Sequence, residues 1–281
     1  MPVVLSENQY GKSRVRLVKV ERCGSRHEMK DLNVDVQLSG DFSAAYLEGD
    51  NRKVLPTDTM KNTVYALARE QPLGEIEEFG QRLAEHFLWR SAHIAWARIA
   101  ISQSDWARIR VDGQAHDHAF IRASEQRRIS VVHQDRSGVI VRAGVADLVV
   151  LKTTRSAFEG FLHDEYTTLK DSRDRLLGTV VKAEWIYAPG ARDYGKLWLA
   201  ARTTILEVFA GHDSRSVQHT LYAIGEAVLE RVPEVTRIEV SMPNRHCLWV
   251  DLAPFGLDNP NEVFVPTEEP HGLIEAVLTR A

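Results

Sequence analysis

Several short segments of this chain carry side chains that could do chemistry, and each also has a plain structural use. Tyr10-Gly11-Lys12 puts an amine ahead of a strand, where a lysine is ordinarily solvated. Thr57-Asp58 follows Pro56, where a hydroxyl or carboxylate could simply cap a helix. Phe158 could belong to a core, and Arg175 could pair with Asp171 or Asp174. Val217-Gln218 opens a helix much as Thr57-Asp58 does, and Asn244-Arg245-His246 after Pro243 could be a turn.

The sharper-looking signals are weaker. His116-Asp117-His118 sets two imidazoles on one side of an extended chain, a spacing that can hold a metal. No third and fourth ligand accompany them, and Asp112-Gly113-Gln114 reads as a turn, so a polar hairpin loop is the better reading. There is no G-x-G-x-x-G, no Walker-type loop and no G-x-S-x-G. Asp164-Glu165 reads as a solvated helix start.

The elements that must position these residues are legible from periodicity. Leu32, Val34, Val36 and Leu38 alternate with polar residues, the pattern of a half-buried antiparallel strand. Arg14 to Val20 is its expected hairpin partner, across a turn containing Gly24. Met60, Val64, Leu67 and Ala68 form a helical stripe after Pro56, and Ile76, Phe79, Leu83 and Phe87 form another after Gly74. Ile94 to Ile101, Trp106 to Val111 and Ile129 to Gln134 read as strands.

The second half repeats this plan, with strands at Val139 to Lys152 and Val180 to Tyr187, then a helix, then a strand-rich stretch from Val235 to Leu252. Asn62-Thr63-Val64-Tyr65-Ala66-Leu67-Ala68 matches His219-Thr220-Leu221-Tyr222-Ala223-Ile224-Gly225, an offset of 219 − 62 = 157. Two copies of one α+β unit follow, with helices on one face of an antiparallel sheet. The boundary is placed at the turn Arg136-Ser137-Gly138, giving residues 1–136 and 137–281. A sheet covered on only one face needs another partner, which favours an oligomer.

Composition narrows the class. The chain has 281 residues, 44% of them hydrophobic, enough for a sizeable core. Lysine and arginine number 35 against 39 acids, so a general basic surface for nucleic acid is not expected. No run approaches the ~20 apolar residues of a membrane helix. No signal peptide is read at the N-terminus, and Leu278-Thr279-Arg280-Ala281 is not a peroxisomal address, so a cytoplasmic protein is expected. Cys23 and Cys247 read as reduced thiols.

On residues alone the chain is a duplicated α+β protein. Taken together, however, its segments resemble the urate oxidase (uricase) family. The resemblance runs from Tyr10-Gly11-Lys12 through Thr57-Asp58-Thr59-Met60-Lys61-Asn62-Thr63-Val64-Tyr65 and Ser156-Ala157-Phe158-Glu159-Gly160-Phe161. It continues through Asp164-Glu165-Tyr166-Thr167-Thr168-Leu169-Lys170, Asp174-Arg175, Ser216-Val217-Gln218 and Pro243-Asn244-Arg245-His246, in the family's order along essentially the whole chain.

The resemblance implies two tandem tunnelling-fold units per chain, assembled as a barrel-like homotetramer with active sites at subunit interfaces. It implies purine degradation: cofactor-free oxidation of urate by molecular oxygen to 5-hydroxyisourate and hydrogen peroxide, with no metal or flavin. It implies that Phe158 stacks on the purine, Arg175 forks onto one edge, Gln218 grips the opposite edge and Val217 adds a backbone contact. Thr57 and Asp58 of a neighbouring subunit would close the remaining edge. Asn244 and Thr57 would hold oxygen and later water, with Lys12, Thr57 and His246 relaying protons. A lysine near Arg175 and removed from water would be a usable base near neutral pH. Glu159, an acid beside an anion site, is expected to point away.

Two rivals remain at this stage. One is a tunnelling-fold pterin enzyme of the dihydroneopterin aldolase or cyclohydrolase type, which also binds a flat heterocycle, although the metal ligands and shorter chain of the cyclohydrolases fit poorly. The other is a catalytically silent purine- or pterin-binding protein, for which Lys12, Thr57, Asn244 and His246 would be superfluous.

Overall fold

A hairpin of long strands opens the fold, in a computed structural model that describes residues 2–280. β1 (Tyr10–Cys23) pairs antiparallel with β2 (Arg26–Gly40) across a turn in which Gly24 takes a φ of 66°. Leu32, Val34, Val36 and Leu38 of β2 are fully buried, as their alternation requires. A short helix, α1 (Ser43–Leu47), leads to α2 (Thr57–Glu70) and α3 (Ile76–Arg90). Then come β3 (Ile94–Val111) and β4 (Gln114–Asp135). Val34 and Val36 lie opposite Ile101 and Ile99 of β3, so the apolar positions meet across the strands.

In this first unit the strands run β1-β2-β3-β4, with α2 against β1 and α3 against β3 and β4. Met60, Val64 and Ala68 of α2 are buried, as are Ile76, Phe79, Leu83 and Phe87 of α3. Leu67, expected in the stripe, is half-buried. The expected strands at Ile94 to Ile101 and Trp106 to Val111 are one continuous β3. Asp112 and Gly113, both at positive φ (50° and 78°), make the two-residue hairpin turn. His116 and His118 therefore sit on β4, just past the turn, rather than in a loop.

β5 (Val139–Lys152) leads out of this unit, which runs to Gly144 and takes back Ile186–Gly195. The second unit comprises Val145–Trp185 and the chain from Lys196 onward. It contains most of β6 (Leu177–Tyr187) and α4 (Tyr194–Gly211), and all of α5 (Val217–Arg231) and β7 (Val235–Ser241). Three short strands follow, β8 (Asn244–Arg245), β9 (Cys247–Trp249) and β10 (Phe264–Pro266), and then β11 (Glu275–Thr279). Its order is β5-β6-β7-β11, with β8 pairing β6, and α5 lies on β7 and β11. Leu177, Thr179, Val181, Ala183 and Trp185 of β6 alternate into the core.

Both units read strand-strand-helix-helix-strand-strand, the tandem α+β plan expected. In that order α2 corresponds to α4 and α3 to α5. The heptapeptide match between α2 and α5 therefore joins helices at different places in the repeat. It reflects two amphipathic helices with the same apolar spacing and is not a trace of duplication.

No helix among the described residues is long and apolar enough to cross a membrane. Cys23 and Cys247 are both free thiols.

Candidate active site

In the second unit, three segments far apart in sequence are tied into one cluster by backbone hydrogen bonds. The Ala157 N–H donates to the Ser214 carbonyl (2.7 Å) and the Phe158 N–H to the Ser172 carbonyl (2.7 Å). The Arg175 N–H donates to the Ser156 carbonyl (2.8 Å). Their consequence is geometric: the Arg175 guanidinium carbon lies 5.1 Å from the centre of the Phe158 ring. Phe158 is half-buried and stacks in parallel on Phe161, 4.8 Å between centroids and 10° between planes.

Arg175 does not pair with Asp171 or Asp174. Asp174 accepts from the Thr154 hydroxyl (2.8 Å), and Asp171 from the Gly160 N–H (3.1 Å). The Arg175 Nε is buried with no hydrogen-bond partner, and burial pulls the guanidinium below its ordinary pKa. A buried donor on a fixed positive charge is costly unless something accepts from it, so the arrangement suits an anionic acceptor. Glu159 does not fill that role: its carboxylate sits 3.4 Å from Arg173.

Val217 and Gln218 begin α5, and the Ser216 hydroxyl accepts from the His219 N–H (3.1 Å). The first N–H groups of a helix lack intrahelical acceptors, which leaves the start of α5 as a donor edge. Val217 is buried, whereas the Gln218 side chain is exposed. Asn244 is held from two sides: it pairs with Thr179 of β6, and its N–H donates to the Gly272 carbonyl (2.7 Å). The His246 carbonyl accepts from the Thr267 N–H (2.8 Å). Phe158, Arg175, Val217, Gln218, Asn244 and His246 thus all belong to the second unit.

Lys12, Thr57 and Asp58 belong to the first. A Cβ on Gly11 would lie 1.9 Å from the Val36 carbonyl oxygen, so β1 and β2 approach here at a distance only glycine permits. The register then shifts between Lys12 and Val15, with Arg14 at a φ of 58°. The Tyr10 hydroxyl accepts from the Leu55 N–H (2.9 Å), which ties the start of β1 to the segment entering α2. The expected cap is not made: Pro56 is the N-cap, and Thr57 and Asp58 are the first two helical residues. Asp58 instead accepts from Lys61 (2.5 Å) and from the Asn62 amide (3.1 Å). Hydrogen bonding from Lys61, with the charge of Lys12 adding to it, holds the Asp58 carboxyl below its usual pKa.

Other candidates resolve into structure. Asp164 does not start a helix; it closes a turn, accepting from the Tyr166 N–H (3.0 Å) and the Thr167 hydroxyl (2.7 Å). The rings of His116 and His118 lie 4.5 Å apart. Among the described residues no group of three or more His, Cys, Asp or Glu could hold a metal ion. A cleft of about 930 Å³ runs beside the cluster, lined by Ser156, Ala157, His212, Ser214, Arg215 and others, but not by Phe158 or Arg175. The partners of Asp58 were legible only as the i+3 and i+4 spacing of Lys61 and Asn62. The support of Phe158 by Phe161 depends on the fold of an irregular loop and had no sequence signal.

The sequence pattern of the family described as Uricase matches residues 8–133 and 141–275. A uricase of Arthrobacter globiformis is 47% identical over 99% of this chain and 90% of its own length. A uricase of Dictyostelium discoideum is 40% identical, covering 99% and 98%. The crystal structure of the Arthrobacter globiformis uricase superposes with a TM-score of 0.95 at 46% identity, over 100% of this chain and 96% of that one.

Proposed function

The chain belongs to the uricase family, and on that premise we propose how its residues divide the work of oxidising urate. Its activity is that of a urate oxidase, with urate and molecular oxygen as substrates. The observation that carries the site assignment is Arg175 over Phe158, with a buried donor left without an acceptor. Urate is flat and anionic. Phe158 stacks on its face, a contact worth about 1–3 kcal/mol for a base on an aromatic ring. Arg175 donates to one edge, and Gln218, with both a donor and an acceptor, grips the other. The Val217 N–H at the start of α5 adds a backbone contact.

Lys12, Thr57 and Asp58 of a neighbouring chain complete the site, in a homotetramer. The support is that Thr57 and Asp58 open α2, that Asp58 is exposed there, and that the charge of Lys12 acts on its carboxylate. Asn244 and Thr57 hold oxygen, then water, over the ring, and Lys12, Thr57 and His246 move the protons. The purine gives up two electrons to dioxygen, and one water supplies the new hydroxyl. Urate, oxygen and water thus become 5-hydroxyisourate and hydrogen peroxide. The chemistry runs without a metal or flavin, because the deprotonated purine is itself the reductant. The same reading keeps residues 1–136 and 137–281 as the two repeats, since β5 begins at Val139, and keeps the cytoplasmic location.

One assay tests the whole: loss of the ultraviolet absorbance of urate with stoichiometric peroxide release. Tight urate binding without turnover would leave a silent purine binder.

A further inference from the structure

Asp58 poses an electrostatic problem for the proposed site, because a carboxylate is set at the edge of a pocket that must admit an anion. The first turns of α2 answer it. Both carboxylate oxygens are occupied, Oδ1 by the Lys61 ammonium (2.5 Å) and Oδ2 by the Asn62 amide (3.1 Å). Lys12, on β1, acts on the same carboxylate with a second positive charge. Helix stability gains little from the arrangement. Exposed ion pairs of this kind contribute little, and a lysine near a helix N-terminus gains nothing from the macrodipole.

We propose that Lys61 is a positioning and charge-shielding residue: it holds the Asp58 carboxylate turned onto itself and neutralised, so that an anionic purine can be bound beside it. Asn62 fixes the second oxygen and with it the rotamer. Without Lys61 the carboxylate swings free and faces the anion, and like charges brought together at a binding site cost affinity steeply. The inference rests on the proposed placement of Asp58 at the edge of the substrate.

The test is anaerobic titration of the intact oligomer with urate, which binds without turning over, beside hypoxanthine as a neutral purine. Lys61→Met should weaken urate binding about tenfold or more, as expected for an added like charge. Hypoxanthine should change less than about twofold on the same grounds. Lys61→Arg should bind urate nearly as the wild type does. Measured against Asp58→Asn alone, adding Lys61→Met should cost little urate affinity, a rescue that a purely structural lysine would not show. Thermal melts of each variant confirm folding, with Lys61→Gln as a second neutral replacement. Equal losses for both purines, no loss, or no rescue by Asp58→Asn would overturn the shield. Should Thr57→Ala and Arg175→Ala also bind urate normally, the site assignment itself fails; should they lose it while Lys61→Met does not, only the shield fails.

Discussion

Arg175 reaches over the face of Phe158 at 5.1 Å while its Nε stays buried without an acceptor, so the fold holds a cation ready on an aromatic platform. Such a contact is worth something in itself, but an unmatched buried donor is a standing cost that a bound anion removes. Arg175→Ala should therefore weaken anaerobic urate binding by about 1.5–3 kcal/mol, roughly ten- to a hundredfold. Arg175→Lys should not restore it, because an ammonium lacks the planar fork. Calorimetric titration measures both, and unaltered affinity in the alanine variant would move the anion elsewhere.

Gly11 gives a second prediction, through packing. Alanine here would set a Cβ 1.9 Å from the Val36 carbonyl oxygen, so β1 must shift off β2. Overpacking of this kind costs about 1–3 kcal/mol. Lys12 moves with the strand, so Gly11→Ala should lose both denaturant stability and turnover. A variant as stable and as active as the wild type would show that the close approach is not required.

His212 gives a pH dependence. Burial, then His219 and Lys152, push its pKa below the ordinary histidine value, and its Nδ1 lies 3.1 Å from the buried Thr220 hydroxyl. The folded value is therefore lower than the unfolded one, about 6.5. Stability from the neutral ring is fully present above about 6.5 and is lost as pH falls through the folded value. Melting temperatures taken stepwise into acid should fall less for His212→Gln than for the wild type. Parallel curves would show that this ring does not titrate with unfolding.

Legibility followed the length scale of the signal. The alternation from Leu32 to Leu38 and the stripe from Ile76 to Phe87 are local consequences of which face is buried, and both stand where periodicity put them. Thr57 as a cap failed because Pro56 already has an extended ψ of 137° and takes the N-cap itself. Asp164 failed because its side chain competes with helix formation by closing a turn on Thr167. The proposed site residues were legible only by resemblance. Their partners arrive through pairings such as Asn244 with Thr179 and the Phe158 N–H with the Ser172 carbonyl, which no spacing announces.

Metal removal bears on the cofactor-free reading. Protein stripped with chelator and shown free of flavin by its visible spectrum should retain full urate turnover. Restoration of a lost activity by one particular metal would refute it and would return attention to His116 and His118.

The interface assignment can be tested without a structure of the oligomer. Lys12, Thr57 and Asp58 lie in the first unit of the chain, and Phe158, Arg175 and Gln218 in the second. If a site draws the first group from one chain and the second from another, Thr57→Ala and Arg175→Ala proteins should each be nearly inactive alone. Co-expressed with different tags, they should form some sites whose Thr57 comes from the arginine variant and whose Arg175 comes from the threonine variant. Each contribution is intact with even odds, so random pairing in a symmetric oligomer restores roughly a quarter of the sites. If every site instead lay within one chain, each would carry one lesion and mixing would restore nothing. Urate turnover in doubly tag-purified oligomers decides between the two. Activity no higher than that of the single variants, despite confirmed mixing, rejects the shared site.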